Sequence, residues 1–100
     1  MESMEKTGIK GSVIEEIGYL ANKHGIKEVI LFGSRARGDY KRASDIDLAV
    51  RGGDIFRFSL DVEEETSTPL EFDVLDLDGN LPEKLLDSIK AEGIVLYEKI

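Results

Sequence analysis

The stretch DIDLAVR at residues 45–51 sets two aspartates into an apolar run of the kind that forms a buried β-strand. Residues two apart in a strand share a face, so Asp45 and Asp47 project together while Ile46 and Leu48 project to the other side. Charges inside a sheet cost free energy unless a counter-charge, commonly a cation, compensates them. Asp-x-Asp by itself fits a pair of exposed edge-strand aspartates better than a cation site. Evidence for a cation site must therefore come from the rest of the sequence.

A second acid-bearing strand is predicted at EFDVLDL, residues 71–77. If the sheet brings it beside the first, Asp73 completes a set of three carboxylates with Asp45 and Asp47. Asp76 lies an odd number of residues from Asp73 and faces the opposite side, which makes it the weaker candidate. Three carboxylates suit Mg²⁺ or Mn²⁺, the ions that bridge phosphates and activate a hydroxyl in transfer to phosphorus.

The other half of the pattern is Gly33-Ser34, where a short apolar run ends. A glycine lets the backbone approach a ligand closely, and a helical turn that begins at Ser34 directs N–H groups and a hydroxyl at an anion. The turn is neither a P-loop nor a dinucleotide fingerprint. An ordinary strand-to-helix turn explains Gly-Ser in isolation, but not the two aspartates that begin after ten intervening residues.

The composition limits the metal and the partners. There is no cysteine, and His24 is the one histidine, so a metal must be bound by oxygen rather than as zinc usually is. The net charge of −8 argues against direct nucleic-acid binding. No apolar run approaches the ~20 residues of a membrane span, so we expect no membrane association and a cytoplasmic protein.

The basic residues are unevenly distributed. Residues 33–44 contain four of them and a single acid, Asp39, although the chain as a whole is acidic. A small cationic segment of this kind suits a compact polyanion such as a nucleoside triphosphate. Charge alone is equally compatible with a solvated loop. The four basic residues are Arg35, Arg37, Lys41 and Arg42.

One hundred residues predict a single domain, 1–100, with one modest core. Apolar spacing and Gly or Pro boundaries predict an α/β fold, a small mixed sheet packed with helices. Residues 54–65 also fit a strand by alternation, but the acidic run at 63–65 and a capping Asp54 favour a helix. Ser12 is the predicted N-cap of the first helix. The predicted helices are 12–24, 54–65 and 82–92, and the predicted strands are 26–33, 45–51, 70–77 and 94–100.

Gly33-Ser34, Asp45-x-Asp47 and a later strand acid together resemble the signature of the DNA polymerase beta-like nucleotidyltransferase superfamily. Within it, GSRARGDYKRASDIDLAV resembles the minimal nucleotidyltransferase (MNT) group especially closely. The resemblance covers nearly the whole chain and is specific as a set. It implies the nucleotidyltransferase fold and an enzyme that binds a nucleoside triphosphate, ATP foremost, with Mg²⁺ or Mn²⁺. Such an enzyme transfers the nucleoside monophosphate to a hydroxyl.

The resemblance also implies roles for individual residues. By motif match, Gly33 and Ser34 would hold the β- and γ-phosphates. Asp45 and Asp47 would ligate metal, and Asp73 would ligate metal and act as the base. Two further triphosphate contacts are predicted from charge and position: Arg35 and Arg37.

The resemblance further implies a partner, because minimal members are often antitoxins paired with a helical HEPN-domain toxin. Three hypotheses follow: an enzyme that modifies that toxin, a non-catalytic module that neutralises it by contact, and a transferase acting on a small molecule. Unpaired carboxylates kept together without a metal disfavour the second. The short chain disfavours the third, since a small substrate needs a pocket that buries it. The oligomeric state stays open.

Overall fold

A four-stranded mixed sheet is the centre of the computed structural model, which describes residues 6–100. Its strands are β1 (Glu28–Phe32), β2 (Ile46–Arg51), β3 (Phe72–Asp76) and β4 (Ile94–Glu98), in the spatial order β3-β2-β1-β4. β1 is antiparallel to both β2 and β4, whereas β2 and β3 are parallel. The predicted mixed α/β class, with the 45–51 and 70–77 segments in one sheet, is confirmed.

The helices are α1 (Gly11–Lys23), α2 (Ser34–Arg37), α3 (Ile55–Glu65) and α4 (Glu83–Glu92). The choice of a helix for residues 54–65 is confirmed, and the Asp54 side chain accepts from the Arg57 N–H at 3.1 Å as the predicted cap. The predicted cap at Ser12 is wrong. Lys10 occupies the N-cap of α1 and makes no side-chain capping bond, so the apolar packing of the helix fixes its start. None of these helices is both long and apolar enough to cross a bilayer.

The two faces of the sheet are covered differently. On one face, α1 and α3 bury the main core, in which Ile17 and Phe58 pack against strand residues such as Leu48. On the other face, α4 places Ile89 against Phe32 and Ala49. Side chains alternate along a strand, and the neighbours Ile46 and Leu48 lie in the main core. Asp47 therefore lies on the α4 side of the sheet. We call this side of β2 and β3, with Asp47 and Asp73, the acidic face.

A hydrogen bond between two side chains connects the end of α1 to α3. The Nε2 of His24, which caps α1, lies 2.6 Å from Oδ2 of Asp61, and the hydrogen bond lowers the pKa of Asp61 below its usual value. A carboxyl group whose pKa is lowered in the folded state stabilises the fold at pH values above the pKa that the group has in the unfolded chain. That contribution is lost as the pH falls through the folded value.

Asp61→Asn is therefore expected to lower the melting temperature at pH 7, with a gap to the wild type that closes below about pH 3.9, the unfolded pKa of aspartate. Thermal unfolding at pH 7, 5 and 3 measures this. Asp87→Asn, an exposed position on α4, is the matched control. An equal gap at pH 7 and pH 3 for Asp61→Asn would contradict the assignment.

Candidate active site

The acidic face is built by the parallel pairing of β2 and β3. In this ladder Asp47 is the register partner of Asp73, flanked by the pairs Ile46–Phe72 and Leu48–Val74. Neighbouring strands lie about 4.8 Å apart, and paired residues of parallel strands point to the same side. The backbone therefore holds two carboxylates next to each other. The sequence anticipated this neighbourhood from the two acid-bearing strands.

Asp47 is the more enclosed of the two, since it lies on an inner strand and is half-buried while Asp73 is exposed on an edge strand. Burial, then the carboxylates of Asp73 and Asp45, raise the pKa of Asp47, and the Arg37 guanidinium acts in the opposite direction. The site thus carries more negative charge than its own cation compensates. An added cation would remove this imbalance.

Gly33 follows β1 directly and makes room for the Asp47 carboxylate. A Cβ on Gly33 would overlap Oδ2 of Asp47, so the carboxylate would have to move. Its backbone, with φ 77° and ψ −158°, is in a region that is essentially restricted to glycine. The sequence predicted close approach of the backbone to a ligand here, and the structure adds a close approach to a carboxylate. Ser34 then opens α2 at the rim of the same face.

Asp45 lies one residue before β2 and is exposed. Within residues 6–100, no three His, Cys, Asp or Glu side chains are gathered closely enough to hold an ion by themselves. The set of Asp45, Asp47 and Asp73 therefore stays a prediction. The donor chemistry fits Mg²⁺ or Mn²⁺, because carboxylate oxygens with excess negative charge suit these ions, which commonly take further ligands from substrate phosphates.

Arg37 ends α2 at the edge of the acidic face. Its Nε lies 3.2 Å from Oδ2 of Asp39, and one terminal nitrogen lies 3.6 Å from Oε1 of Glu92 at the end of α4. The side chain is 42% exposed, and its charge partly offsets the rise in the pKa of Asp47. This position suits the predicted triphosphate contact. Sequence reasoning missed Glu92, because no local signal shows that α4 ends beside α2.

The surroundings of Arg35 argue against the predicted triphosphate contact. It is only 2% exposed, and its guanidinium donates to the carbonyl oxygens of Thr7 at 2.9 Å and Ser44 at 3.0 Å, with a further bond to Arg42. Tyr40 covers the guanidinium, with the ring centroid 4.7 Å from its carbon. A side chain committed in this way does not suit a triphosphate contact, and we assign Arg35 to the loop before β2 instead. Charge and position in the sequence did not reveal its burial.

Two cavities among the described residues lie away from the acidic face. One cavity of about 360 Å³ lies between residues 8–13 and the loops around 40–42 and 67–70, and another of about 430 Å³ lies between α1 and the end of α3. Neither is lined by Asp47 or Asp73. A substrate bound at the acidic face would therefore not lie in either of these cavities.

Comparison with known proteins identifies the family. The model of the family described as polymerase beta, nucleotidyltransferase, matches residues 15–100, which include every strand and the whole acidic face. The chain belongs to this family. The sheet with its helices is accordingly a nucleotidyltransferase fold, and the chain is a nucleotidyltransferase domain.

Two curated relatives come from Methanocaldococcus jannaschii. "Putative protein adenylyltransferase MJ0435" is 37% identical to this nucleotidyltransferase domain over 78 residues, covering 72% of the chain and 81% of the relative. "Putative protein adenylyltransferase MJ0604" is 51% identical over 37 residues, and the match spans only 37% of the length of either protein.

Solved structures share the fold. A toxin–antitoxin crystal structure with AMP-PNP aligns with a TM-score of 0.70 at 22% identity, covering 86% of this nucleotidyltransferase domain and 73% of that chain. A crystal structure of a "putative nucleotidyltransferase" from Sulfolobus solfataricus aligns with a TM-score of 0.56 at 25% identity and covers 99% and 89%. The first likeness, at its low identity, establishes the fold alone.

Substitution of Gly33 tests whether the glycine makes room for Asp47. Gly33→Ala is expected to destabilise the protein by about 1–3 kcal/mol from backbone strain, and to displace the Asp47 carboxylate as well. Gly38→Ala is the matched control, because Gly38 also has a positive φ, 94°, but an added Cβ would meet nothing within 4 Å. Chemical denaturation measures stability, and the carboxyl ¹³C shift of Asp47 measures displacement. A shift of equal size in both variants would contradict this account.

Proposed function

We propose that this domain transfers a nucleoside monophosphate, AMP foremost, from a nucleoside triphosphate to a hydroxyl on a partner protein, with the help of Mg²⁺ or Mn²⁺. The observation that carries the proposal is the pairing of Asp47 with Asp73 in register, beside a glycine that leaves space for the carboxylate. Family membership supports the reaction class, and the relatives named as protein adenylyltransferases support AMP and a protein acceptor.

Each residue of the acidic face has a proposed role. Asp45, Asp47 and Asp73 would hold the cation, which when bound neutralises the phosphates and lowers the pKa of the attacking hydroxyl. Three residues at the rim would bind the β- and γ-phosphates: Gly33, Ser34 and Arg37. Arg37 can exchange its surface ion pairs for phosphate oxygens, because such exposed pairs contribute little.

The transfer itself is a displacement at the α-phosphorus. The acceptor oxygen forms a bond to this phosphorus, the bond from phosphorus to the oxygen bridging the α- and β-phosphates breaks, and pyrophosphate leaves with that electron pair. Asp73 takes the proton of the acceptor hydroxyl. Its exposure on the edge strand β3 makes it the carboxylate that an acceptor from outside reaches first.

The exposure of Asp73 on the edge strand β3 suits a protein acceptor better than a small one. A small substrate needs a concave pocket that buries most of its surface, and the two cavities described above lie away from Asp47 and Asp73. The surface of a partner could supply the missing wall. The structural likeness to a toxin–antitoxin protein with AMP-PNP supports a toxin as that partner. A HEPN-type toxin with a tyrosine acceptor is the specific form we propose.

Removal of the proposed base tests the reaction. Asp73→Asn is expected to reduce transfer by about 10²–10⁴-fold, since the acceptor loses the group that takes its proton. Mass spectrometry of a co-expressed HEPN-type toxin measures the added nucleoside monophosphate. Asp76→Asn is the matched control, because Asp76 also lies in β3 but faces away from Asp73 and accepts from the Asp78 N–H at 2.9 Å.

The same experiment separates catalysis from inhibition by contact. If Asp73→Asn still neutralises the toxin fully in cells while the toxin carries no nucleotide, contact is the mechanism and the proposed reaction is wrong. Full modification of the toxin by Asp73→Asn would instead remove Asp73 from the reaction.

A second substitution separates function from stability. Asp47→Asn is expected to abolish transfer while the melting temperature stays unchanged or rises, because the raised pKa of Asp47 means that its charge is unfavourable in the folded state. Thermal unfolding and transfer are measured on the same preparation. A large loss of stability would show that the carboxylate is needed by the fold itself.

A further inference from the structure

We propose that Arg35 is a positioning residue, which fixes the backbone on the N-terminal side of Asp45 and thereby sets the place of that carboxylate at the acidic face. The proposal rests on the proposed function for the role of Asp45, but its structural part can be measured without any reaction. The Arg35 guanidinium is buried, and within residues 6–100 its hydrogen-bond acceptors are three backbone carbonyls and no carboxylate.

The burial of Arg35 calls for a reason, because an arginine is always charged and cannot lose its proton to escape desolvation. Its planar guanidinium offers several N–H groups in a rigid fork. Here the Nε and both terminal nitrogens each donate to a different backbone carbonyl, those of Ser44, Thr7 and Arg42, at 2.9–3.1 Å. One side chain therefore holds three carbonyls in two segments of the backbone, the segment at Thr7 and the loop before β2.

Two of these carbonyls belong to the loop that leads into β2. The carbonyl of Ser44 is in the peptide group immediately before Asp45, and it accepts from Arg35 Nε at 3.0 Å. The peptide group immediately after Asp45 contains the Ile46 N–H, which donates to the carbonyl of Glu71 at 2.9 Å. Both peptide groups that flank Asp45 are thus anchored, one by Arg35 and the other by the edge of β3.

Arg35 also belongs to α2, which starts after Gly33. The same residue therefore connects the turn at Gly33, which makes room for Asp47, to the loop that carries Asp45. Arg37, on the same short helix, is the cation whose charge partly offsets the rise in the pKa of Asp47. The two arginines of α2 therefore have different roles. Arg37 lies at the acidic face, and Arg35 holds the backbone of the loop that leads to Asp45.

Exchange of backbone amides in the metal-free chain tests the structural part. In Arg35→Lys, whose single ammonium cannot reach three carbonyls in the same geometry, the amides of residues 42–46 are expected to exchange faster by about tenfold or more, while that of Leu31 in β1 is unchanged. Arg42→Lys is the control, since its exposed side chain changes and its carbonyl stays. Equal acceleration at Leu31, or none at 42–46, overturns the proposal.

Metal binding tests the consequence for the site. Mn²⁺ titration followed by electron paramagnetic resonance, with a non-hydrolysable ATP analogue present, is expected to show about 10–100-fold weaker Mn²⁺ binding in Arg35→Lys, as for loss of a group that orients a metal ligand. Arg37→Lys is expected to weaken binding of the analogue instead. If Arg35→Lys weakens the analogue at saturating Mn²⁺ and leaves Mn²⁺ affinity unchanged, Arg35 contacts the nucleotide and the proposal is wrong.

The two measurements distinguish the possible failures. A wild-type chain that binds neither Mn²⁺ nor the analogue contradicts the proposed function, and the amide exchange then still decides whether Arg35 anchors the loop. If Arg35→Lys does not fold, hydrogen exchange of the arginine Nε–H groups in the wild type tests the proposal instead. Slow exchange of this proton in Arg35 compared with exposed Arg42 supports the anchor, and equal exchange overturns it.

Discussion

The repulsion between two carboxylates at one register position is the constraint on which the acidic face depends. Parallel pairing of β2 and β3 sets Asp47 beside Asp73, and the raised pKa of Asp47 reflects its burial and the adjacent charges. Like charges at this separation destabilise a fold unless a cation joins them. We propose that a metal bound together with triphosphate compensates these charges, because carboxylate oxygens suit such an ion.

The fold tolerates this cost because the two sides of the sheet have separate tasks. Ile46, Leu48 and Val50 alternate with the acidic side of β2 and are fully buried in the main core under α1 and α3. The opposite side needs only the small cluster beneath α4. Stability comes mainly from burial of apolar surface on the first side, so the other side can carry charges that are unfavourable in the absence of ligand.

Much of this arrangement could be predicted from the sequence, because periodicity and boundary residues report local structure directly. The alternation in DIDLAVR predicted that Asp47 faces away from Ile46 and Leu48, which lie in the main core, and Asp54 marked the start of α3. The burial of Arg35 could not be predicted, since a charged residue in a basic loop is ordinarily exposed and its carbonyl partners belong to irregular backbone. The start of α1 could not be predicted either. Tertiary packing sets it at Lys10, and Ser12 does not cap the helix.

The central claim is that Asp47 and Asp73 hold a metal together with a nucleotide. Calorimetric titration of the chain with ATP, in the presence of Mg²⁺ and again with the metal chelated, tests this most directly, with Asp47→Asn alongside. We expect tight binding only when metal and both carboxylates are present, because the phosphate oxygens complete the metal coordination. ATP binding of equal strength without the metal, or in Asp47→Asn, would contradict the claim.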